Sequence, residues 1–304
     1  MERRGFIKRL GLGAAAVSAA GALTLPTFAK GKMAAAPFKL DYAPHFGMFK
    51  QHAPGGIVDE LRFMADQGFR SLEDNGLLKR PLAEQELIGK TLDQLGMRMG
   101  VFVVDGGDNW KVSLTTGKQE FLDNFVATCK ASVEAAKRVN AKWMTVVPGY
   151  FERNLPIGVQ TGYVIDALKR GAEIFEPHGL AMVLEPLSDN PDLFLRHADQ
   201  TYMICRAVGS PACKLLYDAY HMQRNEGNLI ATMEKTWSEI AYIQIGDNPG
   251  RKEPGTGEVN YANVFQFIHK KGFTGILGME HGNAYPGKEG ELALIDAYRK
   301  VDVK

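Results

Sequence analysis

Leu215-Leu216-Tyr217-Asp218-Ala219-Tyr220-His221-Met222-Gln223 runs from an apolar strand pattern into a cluster of groups able to bind a metal or move protons. Three other segments share its grammar, an apolar run closed by one oxygen-bearing side chain: Ala181-Met182-Val183-Leu184-Glu185, Ala241-Tyr242-Ile243-Gln244 and Gly275-Ile276-Leu277-Gly278-Met279-Glu280. The closing residues follow one another at intervals of 33, 26 and 36. Each interval holds one strand, one covering helix and two loops. Four successive strands therefore deliver Glu185, Asp218, Gln244 and Glu280 to the same end of one sheet.

The same alternation extends in both directions. Residues 38–42 alternate polar and apolar as a first strand does, and residues 54–67 carry Ile57, Leu61 and Met64 on one helical face before Gly68. A strand at 69–74 and a helix at 82–95 stopped by Gly96 follow, then a valine-rich strand at 98–104. The loop Asp105-Gly106-Gly107-Asp108-Asn109-Trp110 lacks the ligand order of a helix-loop-helix calcium motif and reads as a strand-to-helix connection. A long helix at 119–139 leads to a strand at 143–147, and further helices are expected at 159–178, 197–208, 229–239 and 261–271, with a last one reaching about 299. Residues just after Asp218 read as a loop. Eight strand-helix units in strict alternation predict an α/β fold of the (β/α)8 TIM-barrel type. No Gly-x-Gly-x-x-Gly follows the first strand, which argues against a dinucleotide-binding sheet.

Length suits one such barrel: 304 residues, against about 250 for the fold. The first residues read as an address rather than as structure. Arg3-Arg4-Gly5-Phe6-Ile7-Lys8 precedes a mildly apolar run from Leu10 to Leu25, and Thr27-Phe28-Ala29 offers the small residues of a cleavage site. The expected organisation is a twin-arginine signal peptide at 1–29, a linker at 30–37 and a single catalytic domain at 38–304. It implies passage through the twin-arginine export machinery to the periplasm, with no stable membrane anchor. The signal carries a net charge of +3, so the remainder of a chain with net charge +1 sits at +1 − 3 = −2. A nucleic-acid partner is not expected from that balance. Cys129, Cys205 and Cys213 have no metal-ligand spacing; either Cys205 bridges Cys213 or all three are buried free thiols.

Three carboxylates brought to one point repel one another unless a cation lies between them. A set of Glu, Asp, Gln amide and Glu oxygens suits one hard divalent cation, Mg²⁺ or Mn²⁺, better than zinc. Such an ion beside a carbonyl would stabilise the enediolate left when a neighbouring C–H proton is removed, with Glu185 or Glu280 taking the proton and returning it to the adjacent carbon. His221, three residues after Asp218, is placed to donate a hydrogen bond to a substrate oxygen. His45 and Glu73 close earlier strands and are expected to line the pocket, with Tyr150 and Trp110 from the loops.

The segments Val183-Leu184-Glu185-Pro186-Leu187-Ser188, Asp218-Ala219-Tyr220-His221-Met222-Gln223, Pro249-Gly250-Arg251-Lys252-Glu253-Pro254, Gly257-Glu258-Val259-Asn260-Tyr261 and Gly278-Met279-Glu280 resemble the hydroxypyruvate isomerase family, within the xylose isomerase-like barrels. The resemblance implies that Glu185 and Glu280 are proton donor and acceptor and also hold the metal, joined by Asp218 and Gln244. It implies that Arg251 contacts the substrate; Glu253 either does so too or pairs with Arg251. Gln244 stands where epimerases of the superfamily usually have His, which favours an aldose-ketose type isomerase over a ketose 3-epimerase. One departure bears on the substrate. The family usually has a basic residue soon after the last metal-binding Glu, whereas this chain reads Glu280-His281-Gly282-Asn283-Ala284-Tyr285, so a neutral sugar or keto-sugar competes with a carboxylated substrate. An abasic-site endonuclease on the same barrel would need a histidine-built zinc cluster and a cationic groove, and the chain has seven His in all. A non-catalytic exported sugar-binding protein is the remaining alternative, and association into a homo-oligomer is left open.

Overall fold

Among the described residues the apolar runs become nine short parallel strands: β1 (Tyr42–Ala43), β2 (Ser71–Leu72), β3 (Arg98–Met99), β4 (Val101–Val103), β5 (Trp143–Val146), β6 (Ala181–Leu184), β7 (Cys213–Asp218), β8 (Ile240–Gln244) and β9 (Leu277–Gly278). The computed structural model describes residues 35–304, so the signal expected at 1–29 and linker residues 30–34 lie outside the described residues. One ladder runs β1-β9-β8-β7-β6-β5-β4 and a second joins β2 to β3. β3 and β4 are one barrel strand interrupted at Gly100, whose N–H still donates to Leu72 O at 2.7 Å. A Cβ at Gly100 would lie 2.4 Å from the Tyr242 hydroxyl and 2.9 Å from Leu72 O, so glycine is required where the inward Tyr242 crosses. A parallel bridge between His45 and Glu73 closes the remaining gap, between β1 and β2. Eight strand positions thus form a ring, the TIM barrel expected from the alternation.

Parity along the strands sorts the barrel interior into layers. Ala43, Val101, Val183, Leu216, Tyr242 and Ile276 form an apolar layer. Two residues further along their strands, the same inward face carries Glu185, Asp218 and Gln244, and Gly278 then Glu280 follow from Ile276. The register Asp218↔Gln244↔Gly278 sets these neighbours side by side.

Helices α1 (Ile57–Asp66), α2 (Leu82–Leu95), α3 (Gln119–Val139), α4 (Ile157–Phe175), α5 (Ala198–Val208), α6 (Ala219–Asn225), α7 (Leu229–Thr236), α8 (Tyr261–Lys270) and α9 (Gly287–Val301) surround the ring. Their inner faces bury apolar residues at helical spacing, as Phe125, Cys129, Val133 and Ala136 do on α3. α6 was not expected from the sequence. The first strand is shorter than the run at 38–42 suggests, for a specific reason: Lys39 N and Leu40 N donate to the Asp302 carboxylate at 2.7 and 3.3 Å instead of to a neighbouring strand. All three cysteines are free and buried, so no Cys205–Cys213 bridge is formed. Among the described residues no helix is long and apolar enough to cross a membrane.

Asp302 also accepts from the Tyr42 hydroxyl at 3.1 Å, so one carboxylate clasps the chain's entry into the barrel to the end of α9. Asp302→Ala is expected to lower stability by about 1–2 kcal/mol, read as a reduced midpoint in thermal or urea unfolding; an unchanged midpoint would show that the clasp holds nothing.

Candidate active site

Asp218 ends β7 fully buried, and its two oxygens do different work. Oδ1 accepts from Tyr220 N at 2.6 Å and His221 N at 3.2 Å, which caps α6 and explains why a helix forms where a loop was expected. Oδ2 is buried and has no hydrogen-bond partner. The turn of α6 swings His221 back over Asp218, bringing Nε2 to 3.7 Å from Asp218 Oδ2 and 3.8 Å from Glu185 Oε1. On its other side, His221 Nδ1 lies 2.8 Å from Ser188 Oγ.

Glu185, Asp218, His221 and Glu280 each present an atom within 4.8 Å of the others. Glu185 Oε1 and Gln244 Oε1, like Asp218 Oδ2, are buried without a partner. Gln244 Nε2 is already committed, donating to Glu73 Oε1 at 2.9 Å. Three orphaned acceptor oxygens in one enclosed place are expensive unless a positive charge joins them. Burial first, then the neighbouring Asp218 charge, hold the Glu185 carboxyl well above the usual carboxylate range; for Glu280 the causes are burial and then Glu185. Burial works against the charge of Arg251, yet Glu280, Asp218 and Glu185 outweigh it and keep the guanidinium protonated. Burial keeps His221 neutral despite Asp218. Glu185, Asp218 and Glu280 offer converging oxygens of the kind a divalent cation takes, and Gln244 Oε1, on the residue beside Asp218 in the sheet register, is a further unpartnered acceptor.

Arg251 donates from Nη2 to Glu280 Oε2 at 2.8 Å and from Nε to Glu280 O at 3.1 Å, and its guanidinium carbon lies 4.9 Å from the centre of the Tyr220 ring. It sits at a φ of +50°, unusual for a residue with a side chain. Asp247 enforces that loop: its buried carboxylate accepts from four backbone N–H groups, those of Asn248, Gly255, Gly257 and Val259, at 2.8 to 3.1 Å.

The other residues singled out from sequence sit elsewhere. Glu253 is buried and accepts from Ala284 N at 2.8 Å, tying two loops together; it neither lines the cavity nor pairs with Arg251. Glu73 lies beneath the cluster, fully buried, and also accepts from the Tyr242 hydroxyl at 2.9 Å; burial pushes its carboxyl up to about 7 against the pull of Gln244 and Tyr242. His45 has its ring nitrogens 2.9 Å from Phe46 O and 3.0 Å from His281 O and faces a different cleft.

Above the cluster opens a cavity of about 390 Å³, lined by Asn75, Lys79, Asp105, Trp110, Asp189 and Leu187 together with Glu185, His221, Arg251 and Glu280. Asn75, which sequence reasoning missed, donates to Glu280 Oε1 at 2.9 Å; the Asp74-Asn75-Gly76 turn was its signal. A larger cavity of about 520 Å³ lies at the opposite, amino-terminal strand ends among Lys39, Arg70, Arg98 and Phe273, away from the carboxylate cluster.

A closed (β/α)8 ring with titratable groups gathered at the carboxyl ends of its strands defines a barrel enzyme that works on a small polar molecule. Residues 61–301 match the family described as xylose isomerase-like TIM barrel, and the chain belongs to that family. It is 30% identical over 185 residues to hydroxypyruvate isomerase of Escherichia coli K12, an alignment covering 60% of this chain and 69% of that one. It is 27% identical over 241 residues to 2-oxo-tetronate isomerase of Cupriavidus necator, covering 77% and 89%. Among solved structures, a family 2 AP endonuclease from Brucella melitensis superposes with a TM-score of 0.73 over 85% of this chain and 99% of its own; at 22% identity that likeness shows the fold alone. The chain is an isomerase, as its named relatives are.

Metal binding and protonation oppose each other at this cluster, and the sign can be worked out. Raised folded-state values for Glu185 and Glu280 mean that the metal-free fold is most favoured below the ordinary carboxylate value of 4.5 and loses that advantage as pH rises. A cation relieves the repulsion that remains. The upward shift in melting temperature on adding Mn²⁺ is therefore expected to grow between about pH 5 and about pH 8. A shift that stays flat or shrinks over that range would count against a cation among these oxygens.

Proposed function

We propose that this isomerase is metal-dependent and moves a carbonyl to the neighbouring carbon of a small hydroxycarbonyl compound, with Glu185 and Glu280 as its acid–base pair. The observation that carries the proposal is the group of buried, unpartnered oxygens, Glu185 Oε1, Asp218 Oδ2 and Gln244 Oε1, in a site where Glu185, Asp218, His221 and Glu280 converge within 4.8 Å. Glu185, Asp218, Gln244 and Glu280 would hold one Mg²⁺ or Mn²⁺. When bound, that cation supplies Lewis acidity to the substrate's carbonyl and hydroxyl oxygens.

The remaining steps belong to the chain's own residues. Glu185 and Glu280 both line the cavity and converge within 4.8 Å, so one carboxylate can accept a C–H proton and a proton can be returned one carbon away through an enediolate. Arg251 keeps Glu280 oriented and presents its positive face to the cavity. His221, neutral and fully buried, can donate to a substrate oxygen. The aromatic Trp110 shields the cavity mouth although it is 53% exposed itself. The relatives' substrates, hydroxypyruvate and 2-oxo-tetronate, support a short keto acid as one candidate. The activity is proposed for the periplasm, on the strength of the twin-arginine pattern at Arg3 and Arg4.

Glu185→Gln and Glu280→Gln are each expected to lower kcat by at least about a hundredfold while the protein still folds. In deuterated water the wild type should place solvent deuterium into the product at the carbon that loses its carbonyl. Near-wild-type turnover in either variant would refute the pair. Deuterium returned to the original carbon with inverted configuration would identify an epimerase, and its complete absence from a bound sugar a binding protein.

A further inference from the structure

Glu73 closes β2 much as Glu185 closes β6, yet it never reaches the cavity. Its buried carboxylate is instead threaded between three strands. Oε1 accepts from Gln244 Nε2 at 2.9 Å and from Asn75 Nδ2 at 3.4 Å, and Oε2 accepts from the Tyr242 hydroxyl at 2.9 Å. The space it occupies exists because position 278 has no side chain: a Cβ there would lie 1.8 Å from Glu73 Oε2 and 3.1 Å from Gln244 Cγ.

An amide has two chemically opposite ends and one rotatable bond that exchanges them. With Nε2 held by Glu73, Gln244 Oε1 is turned away and stays buried without a partner, beside Asp218 in the register of the sheet. The reverse orientation would set a carbonyl against a carboxylate and aim N–H groups at a cluster of acceptors and its cation. We propose that Glu73 is a positioning residue that locks the Gln244 amide with its oxygen toward the metal cluster, and that Gly278 is the notch that admits it. Nothing in this role requires Glu73 to touch the substrate. The inference rests on the metal-dependent reading of the site and adds to it a residue outside the ligand set.

The test reads Mn²⁺ affinity by calorimetry on the purified full-length protein, so it does not depend on turnover. Glu73→Gln keeps a carbonyl oxygen able to accept from Gln244 Nε2, and is expected to bind Mn²⁺ within about threefold of wild type. Gln244→Glu sets two carboxylates against each other and should weaken binding by about tenfold or more. In that background Glu73→Gln restores a donor opposite an acceptor, so the double variant is expected to recover most of the lost affinity. Gly278→Ala, which drives Glu73 out of its notch, should weaken binding as Gln244→Glu does. If Glu73 merely fills space, Glu73→Gln changes affinity by the same factor in both backgrounds, and that result overturns the proposal alone. Absence of Mn²⁺ binding by the wild type would overturn the metal site, and this inference with it.

Discussion

Glu185 and Asp218 stand one step above the apolar Val183 and Leu216 on the same strands and Glu280 two steps above Ile276, with the buried Glu73 carboxylate beneath them. Water cannot dilute that charge from below, and the mutual repulsion of the three raises what it costs to keep them ionised. Each has some relief. One oxygen of Asp218 accepts from two α6 amides, and Glu280 accepts from Arg251 on one side and Asn75 on the other. The relief stops short, because Glu185 Oε1 and Asp218 Oδ2 have no partner. A place where acceptors outnumber donors at the centre of a fold is unstable as a structural core and useful as a cation site.

Around that deficit other buried carboxylates are engaged by backbone amides. Asp247 accepts from four backbone amides and so dictates the path of the loop that carries Arg251. Glu253 pins the same loop to the segment after β9 through Ala284 N. Glu291 does comparable work on the far side, accepting from Gln51 N, His52 N and the His52 ring. These carboxylates hold loops still around the cluster, where Glu185 Oε1, Asp218 Oδ2 and Gln244 Oε1 are left without partners. Arg251 adopts a positive φ between two of those loop anchors, Asp247 and Glu253.

The period of two made the cluster legible, because in a buried strand parity alone decides which face a residue occupies, and four strands ended on an oxygen at matching parity. Helices α2 and α3 were equally plain, long and ended by Gly96 and Asn140 in left-handed conformations. α6 was not. Seven residues rich in polar side chains look like loop, and the sign that they wind is Asp218 acting as a cap, a function hidden behind its more obvious one. Glu73 misled for a related reason. It closes a strand as Glu185 does, but what sends it under the cluster is the missing side chain at Gly278, more than 200 positions away in sequence, since 278 − 73 = 205. The first strand was drawn too long because burial and ladder pairing are separate properties: Phe38 and Leu40 are core residues while the Lys39 and Leu40 amides belong to Asp302.

Substrate choice falls to groups that the strand ends do not supply. His281 stands where the resembling family usually has a base, but it is buried, pushed down to about 3 by that burial, and has Nε2 2.8 Å from the Tyr298 hydroxyl. It brings no positive charge to the cavity. The guanidinium and ammonium groups that do line it are both occupied, Arg251 by Glu280 at 2.8 Å and Lys79 by Asp105 at 2.9 Å. These two pairs are not equivalent. Lys79 is 75% exposed, and such a pair is worth at most about 1 kcal/mol, whereas freeing Arg251 would strip Glu280 of its main counter-charge. Lys79 is therefore the cation more readily freed at the cavity.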